Sequence, residues 1–156
     1  MTPLHYIILA AAILTVYVVG ITIRFGWLPS LSESFYKLGK WESYGWLFTV
    51  TLMGVSFLLL LATQSPLIFF AMGGIWWVAC AAEFKDNITS TVHYLSAVIG
   101  FAFAMLYLWL IGFWISVAIA AILCVIIWFA FPKIRILLIE LALFGTLIIS
   151  LIINFK

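Results

Sequence analysis

The chain has 156 residues, of which 68% are hydrophobic and only 8% charged, with a formal net charge of +2. A water-soluble core has no room for that much apolar surface, and so small a charge gives no footing for nucleic acid. The composition is that of an all-α polytopic membrane protein.

A bilayer core about 30 Å thick takes roughly 20 apolar residues in helix. Six stretches meet that need, at residues 4–23, 45–63, 67–84, 92–111, 113–131 and 136–154. They predict one six-helix transmembrane domain over residues 1–156, with no space for a separate soluble domain. No Lys or Arg precedes the first stretch and Arg24 follows it directly, so it reads as a retained helix rather than a secretion signal.

The connection at residues 24–44 has order of its own. Ser30-Leu31-Ser32-Glu33 fits the capping box, in which a serine oxygen and a glutamate satisfy free amides at a helix start. Leu31, Phe35 and Leu38 share a face and Gly39 offers a stop, so a short helix lying in the membrane interface is expected here. Glu33 reads as the carboxylate of that cap rather than as a catalytic one.

The second and third stretches are joined by the tight turn Gln64-Ser65-Pro66. In the third, Gly73-Gly74 is the one candidate for a local break, and Trp76 and Trp77 fall near the middle, where packing accounts for them. Cys80 and Cys124 lie within stretches, away from any loop, and read as free buried thiols.

Ionisable groups inside a membrane are costly, so each asks for a reason. Glu83 ends the third stretch, where the carboxyl end of a helix repels negative charge. His93 opens the fourth, with Ser90 and Thr91 before it as caps, so Glu83 and His93 are expected to face each other across the bend, with Lys85 as the competing partner. Glu140 lies just over one turn inside the sixth, either reaching back to water or turned into the bundle. Glu83, His93, Glu140, Lys85 and Glu33 are thus the candidate binding or proton-exchange residues.

Small residues four apart allow close helix packing. Ser96, Gly100 and Ala104, then Ser116, Ala120 and Cys124, then Ala142, Thr146 and Ser150 make such stripes, and predict that the last three helices form a compact unit.

Alternating the connections puts Arg24, Lys37, Lys40, Lys85, Lys133 and Arg135 on one side, and only Lys156 with the amino terminus on the other. Excess Lys and Arg in short loops marks the cytoplasmic face, so both termini are expected outside the cytoplasm, in a plasma or inner membrane. Trp27, Trp41, Trp46 and Trp128 gather near the basic side and Trp109 and Trp114 near the other, as interfacial belts do. The Asn87-Ile88-Thr89 acceptor pattern would then lie in the cytoplasm, out of reach of glycosylation.

His5 and His93 belong to opposite sides, which rules out a multi-histidine zinc site in one subunit. The sequence has no Gly-rich phosphate loop, no GxSxG elbow and no Ser-His-Asp spacing. No metal or cofactor is expected.

Residues Gly26-Trp27-Leu28-Pro29-Ser30-Leu31-Ser32-Glu33-Ser34-Phe35-Tyr36, Ala81-Ala82-Glu83-Phe84-Lys85 and Val92-His93-Tyr94 resemble an uncharacterised group of small polytopic membrane proteins of bacteria and their phages. More remotely the chain resembles the superfamily that holds the FRAG, DRAM and Sfk proteins: six helices, a Ser-acidic motif after the first, a His opening the fourth and a Glu in the sixth. The resemblance implies lipid handling or membrane organisation rather than catalysis. It also implies a first loop facing away from the cytoplasm, the reverse of what the charges give.

The leading expectation is a non-enzymatic membrane protein whose cytoplasmic face binds membrane lipid headgroups, a protein partner or another copy of itself. A second is a small channel or proton-linked transporter using Glu83 and His93. A third is a membrane-embedded lipid-modifying enzyme with Glu83 or Glu140 as base.

Overall fold

The computed structural model describes residues 1–83, 85 and 87–156. Among them it has seven helices and no strand: α1 Pro3–Phe25, α2 Glu33–Lys37, α3 Trp46–Thr63, α4 Pro66–Cys80, α5 Asn87–Leu110, α6 Trp114–Ala130 and α7 Arg135–Asn154. α1, α3, α5 and α7 are long and apolar enough to cross a membrane. α4 and α6 are apolar but shorter, at 15 and 17 residues, or about 22 and 25 Å of rise.

α1 packs on α3 and α7, α3 on α4, α4 on α5, and α5 on α7, which closes a ring of five helices. α6 lies outside that ring against α5 and α7, and Ala120 is its one buried residue. Helices consecutive in the chain run antiparallel, with Phe70 of α4 against Phe103 of α5, as do α1 and α7, where Ala11 and Val18 share a crevice with Ile148 and Leu141, whereas α5 and α7 run parallel, with Phe101 against Phe144. The loop after α1, the bend between α4 and α5 and the turn into α7 therefore share one end. Arg24, Lys37, Lys40, Lys85, Lys133 and Arg135 all belong to it, and Lys156 to the other.

The expected compact unit of the last three helices is not how the first small-residue stripe is used. Gly100 of α5 faces α4: a Cβ on Gly74 would come within 2.7 Å of the Gly100 Cα and of the Ser96 carbonyl oxygen. Gly73-Gly74 accordingly does not break α4, which runs unbroken to Cys80; Gly74 lets two backbones touch. Thr49 of α3 adds a hydrogen bond to the Ala79 carbonyl at 3.0 Å on the other side of α4.

Two boundaries differ from the sequence reading. α4 stops at Cys80, so Glu83 lies past the helix end, while Phe84, read as the last residue of that stretch, lies outside the described residues. α5 begins at Asn87, which puts His93 almost two turns inside it. Thr91 does not cap; its hydroxyl bonds back to the Asn87 carbonyl at 3.3 Å, and the Thr89 hydroxyl takes the Glu83 carbonyl. With α4 ending early, Trp76 and Trp77 stand in its last turns rather than its middle. Trp77 is 63% exposed and so is not a packing residue, and Cys80 is free but exposed rather than buried.

α3 ends on Gln64 in the left-handed region at φ 49°. A side chain there costs about 1–2 kcal/mol, part of which glycine gives back in the unfolded chain. Gln64→Gly is expected to stabilise the protein by about 0.5 kcal/mol, seen as a higher midpoint of thermal unfolding in detergent. A lower midpoint would mean that the Gln64 side chain holds the turn.

Candidate functional site

The ring is closed at its charged end by residues 26–32 and α2. Leu28, Leu31, Phe35 and Leu38 are buried, and Leu31 and Phe35 join the central core beside Phe48 and Leu137. The short helix expected here is present, with its apolar side inserted into the end of the bundle. Each such side chain, taken from water into the bundle, contributes roughly 1.5–3 kcal/mol.

Hydrogen bonds fix this strap from three sides. The Leu137 N–H at the start of α7 donates to the Pro29 carbonyl at 3.0 Å. The Leu31 N–H donates to Glu140 Oε2 at 2.7 Å. Ser34 Oγ donates to the Leu31 carbonyl at 2.6 Å, so its single proton is used, and the 2.6 Å contact to Tyr17 of α1 has the tyrosine as donor.

Glu140 is therefore turned into the bundle, of the two directions open to it from sequence. Its second carboxylate oxygen has no protein donor among the described residues.

Only half of the expected capping box forms. Ser30 Oγ accepts the Glu33 N–H at 3.2 Å, but the Glu33 carboxylate does not return to the Ser30 amide. It pairs with Lys85 Nζ at 3.1 Å. Lys85 also stands 4.2 Å from the Tyr36 ring centroid, and its N–H donates to the Tyr36 hydroxyl at 3.0 Å. The bend after α4 is thus tied to α2, fifty residues earlier in the chain.

That arrangement corrects the partners assigned to Glu83. Its carboxylate lies 3.8 Å from Lys40 Nζ, and no hydrogen bond joins it to His93 among the described residues. His93, 3% exposed, has its Nδ1 3.1 Å from the Ala81 carbonyl. A carbonyl can only accept, so Nδ1 carries a proton. Two turns of α5 are anchored by this bond to the end of α4.

A cavity of about 490 Å³ lies between α5, α7 and the strap. Its polar end is made of Ser30, Ser32, Glu33, His93 and Glu140, and its walls of Ala97, Val98 and Phe101 from α5 with Ile139 and Leu143 from α7. Tyr94 and Val98 at its edge are more than half exposed, so it opens sideways from the bundle. Three of the five candidate residues, Glu33, His93 and Glu140, meet here. Lys85 reaches the rim through Glu33, and Glu83 stays on the outside with Lys40.

Ser30 and Ser32 were legible only as helix-capping residues. Their second role comes from the arrival of α7, which no local pattern encodes. His5, at the amino end of α1, folds back onto Thr2 at the opposite end of the bundle from His93. Among the described residues no group of three or more His, Cys, Asp or Glu is placed to hold a metal ion.

The chain matches no protein family, no curated protein and no solved structure.

Proposed function

We propose that this protein crosses the bilayer six times and holds a membrane lipid in the cavity between α5 and α7. The observation that carries this reading is the shape of the cavity's chemistry: polar groups at the charged end of the bundle, apolar walls running inward from them, and an opening to the side. An amphiphile whose headgroup sits at the interface and whose chain lies in the hydrocarbon has that same order.

α4 and α6 fall short of a bilayer core of about 30 Å by about 8 and 5 Å, a mismatch that local thinning absorbs at a cost of fractions of a kcal/mol per Å. By the positive-inside rule the charged end faces the cytoplasm, and both termini lie on the other side of a plasma or inner membrane. Lys37, Lys40, Lys133 and Arg135 would then add about 1 kcal/mol each of attraction to an anionic leaflet. Of the three segments that resemble small bacterial and phage membrane proteins, residues 26–36 and 92–94 contribute to the cavity, and Lys85 of the third pairs with Glu33. That coincidence supports lipid handling over proton exchange, which loses the Glu83–His93 contact it was built on.

The test is lipid retention by the purified protein, read by native mass spectrometry. Ala97→Phe, which fills the cavity from α5, is expected to lower retention at least about tenfold, equivalent to ~1.4 kcal/mol. Leu95→Phe, on the exposed side of the same helix, should leave it unchanged. Equal retention by both variants would sink the reading.

A further inference from the structure

The cavity's polar end has a particular composition. Its side-chain oxygen atoms come from two carboxylates, Glu33 and Glu140, and two hydroxyls, Ser30 and Ser32, and no Lys or Arg among the described residues lines it. Glu140 spends one oxygen on the Leu31 amide and has no protein donor for the other among the described residues. Ser32 is 3% exposed, so water does not substitute freely there. Lys85, which does not line the cavity, is held at 3.1 Å by Glu33.

We propose that the headgroup bound here ends in a primary ammonium and carries a phosphate next to it, as in an ethanolamine phospholipid, with the ammonium between Glu33 and Glu140 and the phosphate toward Lys85. The inference rests on the cavity being a lipid site. Three arguments lead to it.

A phosphate placed at the polar end would meet two carboxylates and no cation, a buried like-charge contact with nothing to offset its desolvation. A ligand without charge would leave Glu140, which has no ion-pair partner among the described residues, without a counter-charge. A primary ammonium brings three N–H donors to two carboxylates and the lone pairs of two hydroxyls, whereas a quaternary ammonium brings none.

The Glu33–Lys85 pair supplies the second half of the recognition. Its negative member lines the cavity and its positive member stands outside it, so the pair presents a dipole opposite in direction to that of a phosphate-ammonium headgroup. Opposed dipoles attract, and the attraction is strongest where the carboxylate is shielded from water. The glycerol and chains pass along Val98, Ile139 and Leu143 into the hydrocarbon.

The deciding experiment offers the full-length protein in detergent equal amounts of phosphatidylethanolamine, phosphatidylcholine and phosphatidylglycerol with identical chains, and counts the bound species by native mass spectrometry. The ethanolamine lipid is expected to exceed each of the others by about tenfold. Glu33→Gln should bring the three to within about threefold of one another while total retention persists. Glu33→Lys combined with Lys85→Glu keeps an ion pair across the same gap but reverses its dipole, and should abolish the preference without unfolding the strap.

Equal binding of the three lipids by the native chain, or a preference for the glycerol lipid, would overturn the headgroup assignment and leave the cavity reading standing. Absence of any bound lipid, or binding indifferent to Ala97→Phe, would overturn the cavity reading itself.

Discussion

Gly74→Ala is expected to lower the thermal stability of this protein, and Gly73→Ala, one residue earlier, to raise it. The two glycines are neighbours in sequence and opposite in surroundings. A methyl group on Gly74 would press to within 2.7 Å of the Gly100 Cα and the Ser96 carbonyl oxygen, both backbone atoms that cannot swing aside. A methyl group on Gly73 meets nothing within 4 Å.

In the bilayer placement proposed above no hydrophobic force acts between helices, and close backbone contact is then what joins α4 to α5. Separating them is expected to cost about 1–3 kcal/mol, the usual penalty of overpacking. At position 73 only helix propensity changes, and alanine gains about 0.5–1 kcal/mol over glycine. The measurement is the fraction of monodisperse protein surviving a temperature ramp in detergent. Two shifts of the same sign would mean that the Gly74–Gly100 approach does not hold the ring together.

The same pair of glycines marks where sequence reasoning stops. Glycine permits both a break and a close approach, and the choice depends on what lies opposite, which is Gly100 some 26 positions on. Helical content was legible because long apolar runs leave few alternatives. The short helix after α1 was legible from Ser30, Leu31, Phe35 and Leu38, since its capping residue and its apolar face are local. Pairings were not. Glu83 and Lys85 were assigned to each other's neighbourhood because they are close in sequence, yet Glu83 meets Lys40 and Lys85 meets Glu33. Both partners come from the connection between α1 and α3, and only the three-dimensional closure of the ring brings it over the bend.

Glu140 illustrates a different limit. Its depth could be read from its place in the last apolar run, but its direction could not, because the face that α7 marks in sequence is the small-residue stripe of Ala142, Thr146 and Ser150, on which Glu140 does not lie. What points it inward is the Leu31 amide, which is left without a helical partner by the turn before α2.

Glu140→Leu is accordingly expected to release the strap. Leucine has nearly the same bulk and no acceptor, so the Leu31 N–H is left buried with nothing to bond. Hydrogen bonds to charged groups contribute about 1.5–3 kcal/mol, which corresponds to a rise of roughly tenfold to a hundredfold in local opening. Hydrogen exchange at residues 28–35 should accelerate by that factor, while exchange in the middle of α3 and α4 stays as it was. Glu140→Gln keeps an oxygen at the same place and should accelerate exchange much less, since only the charge assistance is lost.

Lipid retention separates the two roles of this side chain. If Glu140 acts only as the anchor of the strap, Glu140→Gln binds lipid as the native chain does. If its second oxygen also receives the headgroup, Glu140→Gln weakens the preference for a primary ammonium while the strap stays closed. The expected result is the latter, because an amide offers one acceptor where the carboxylate offers two, and the Leu31 N–H claims the first.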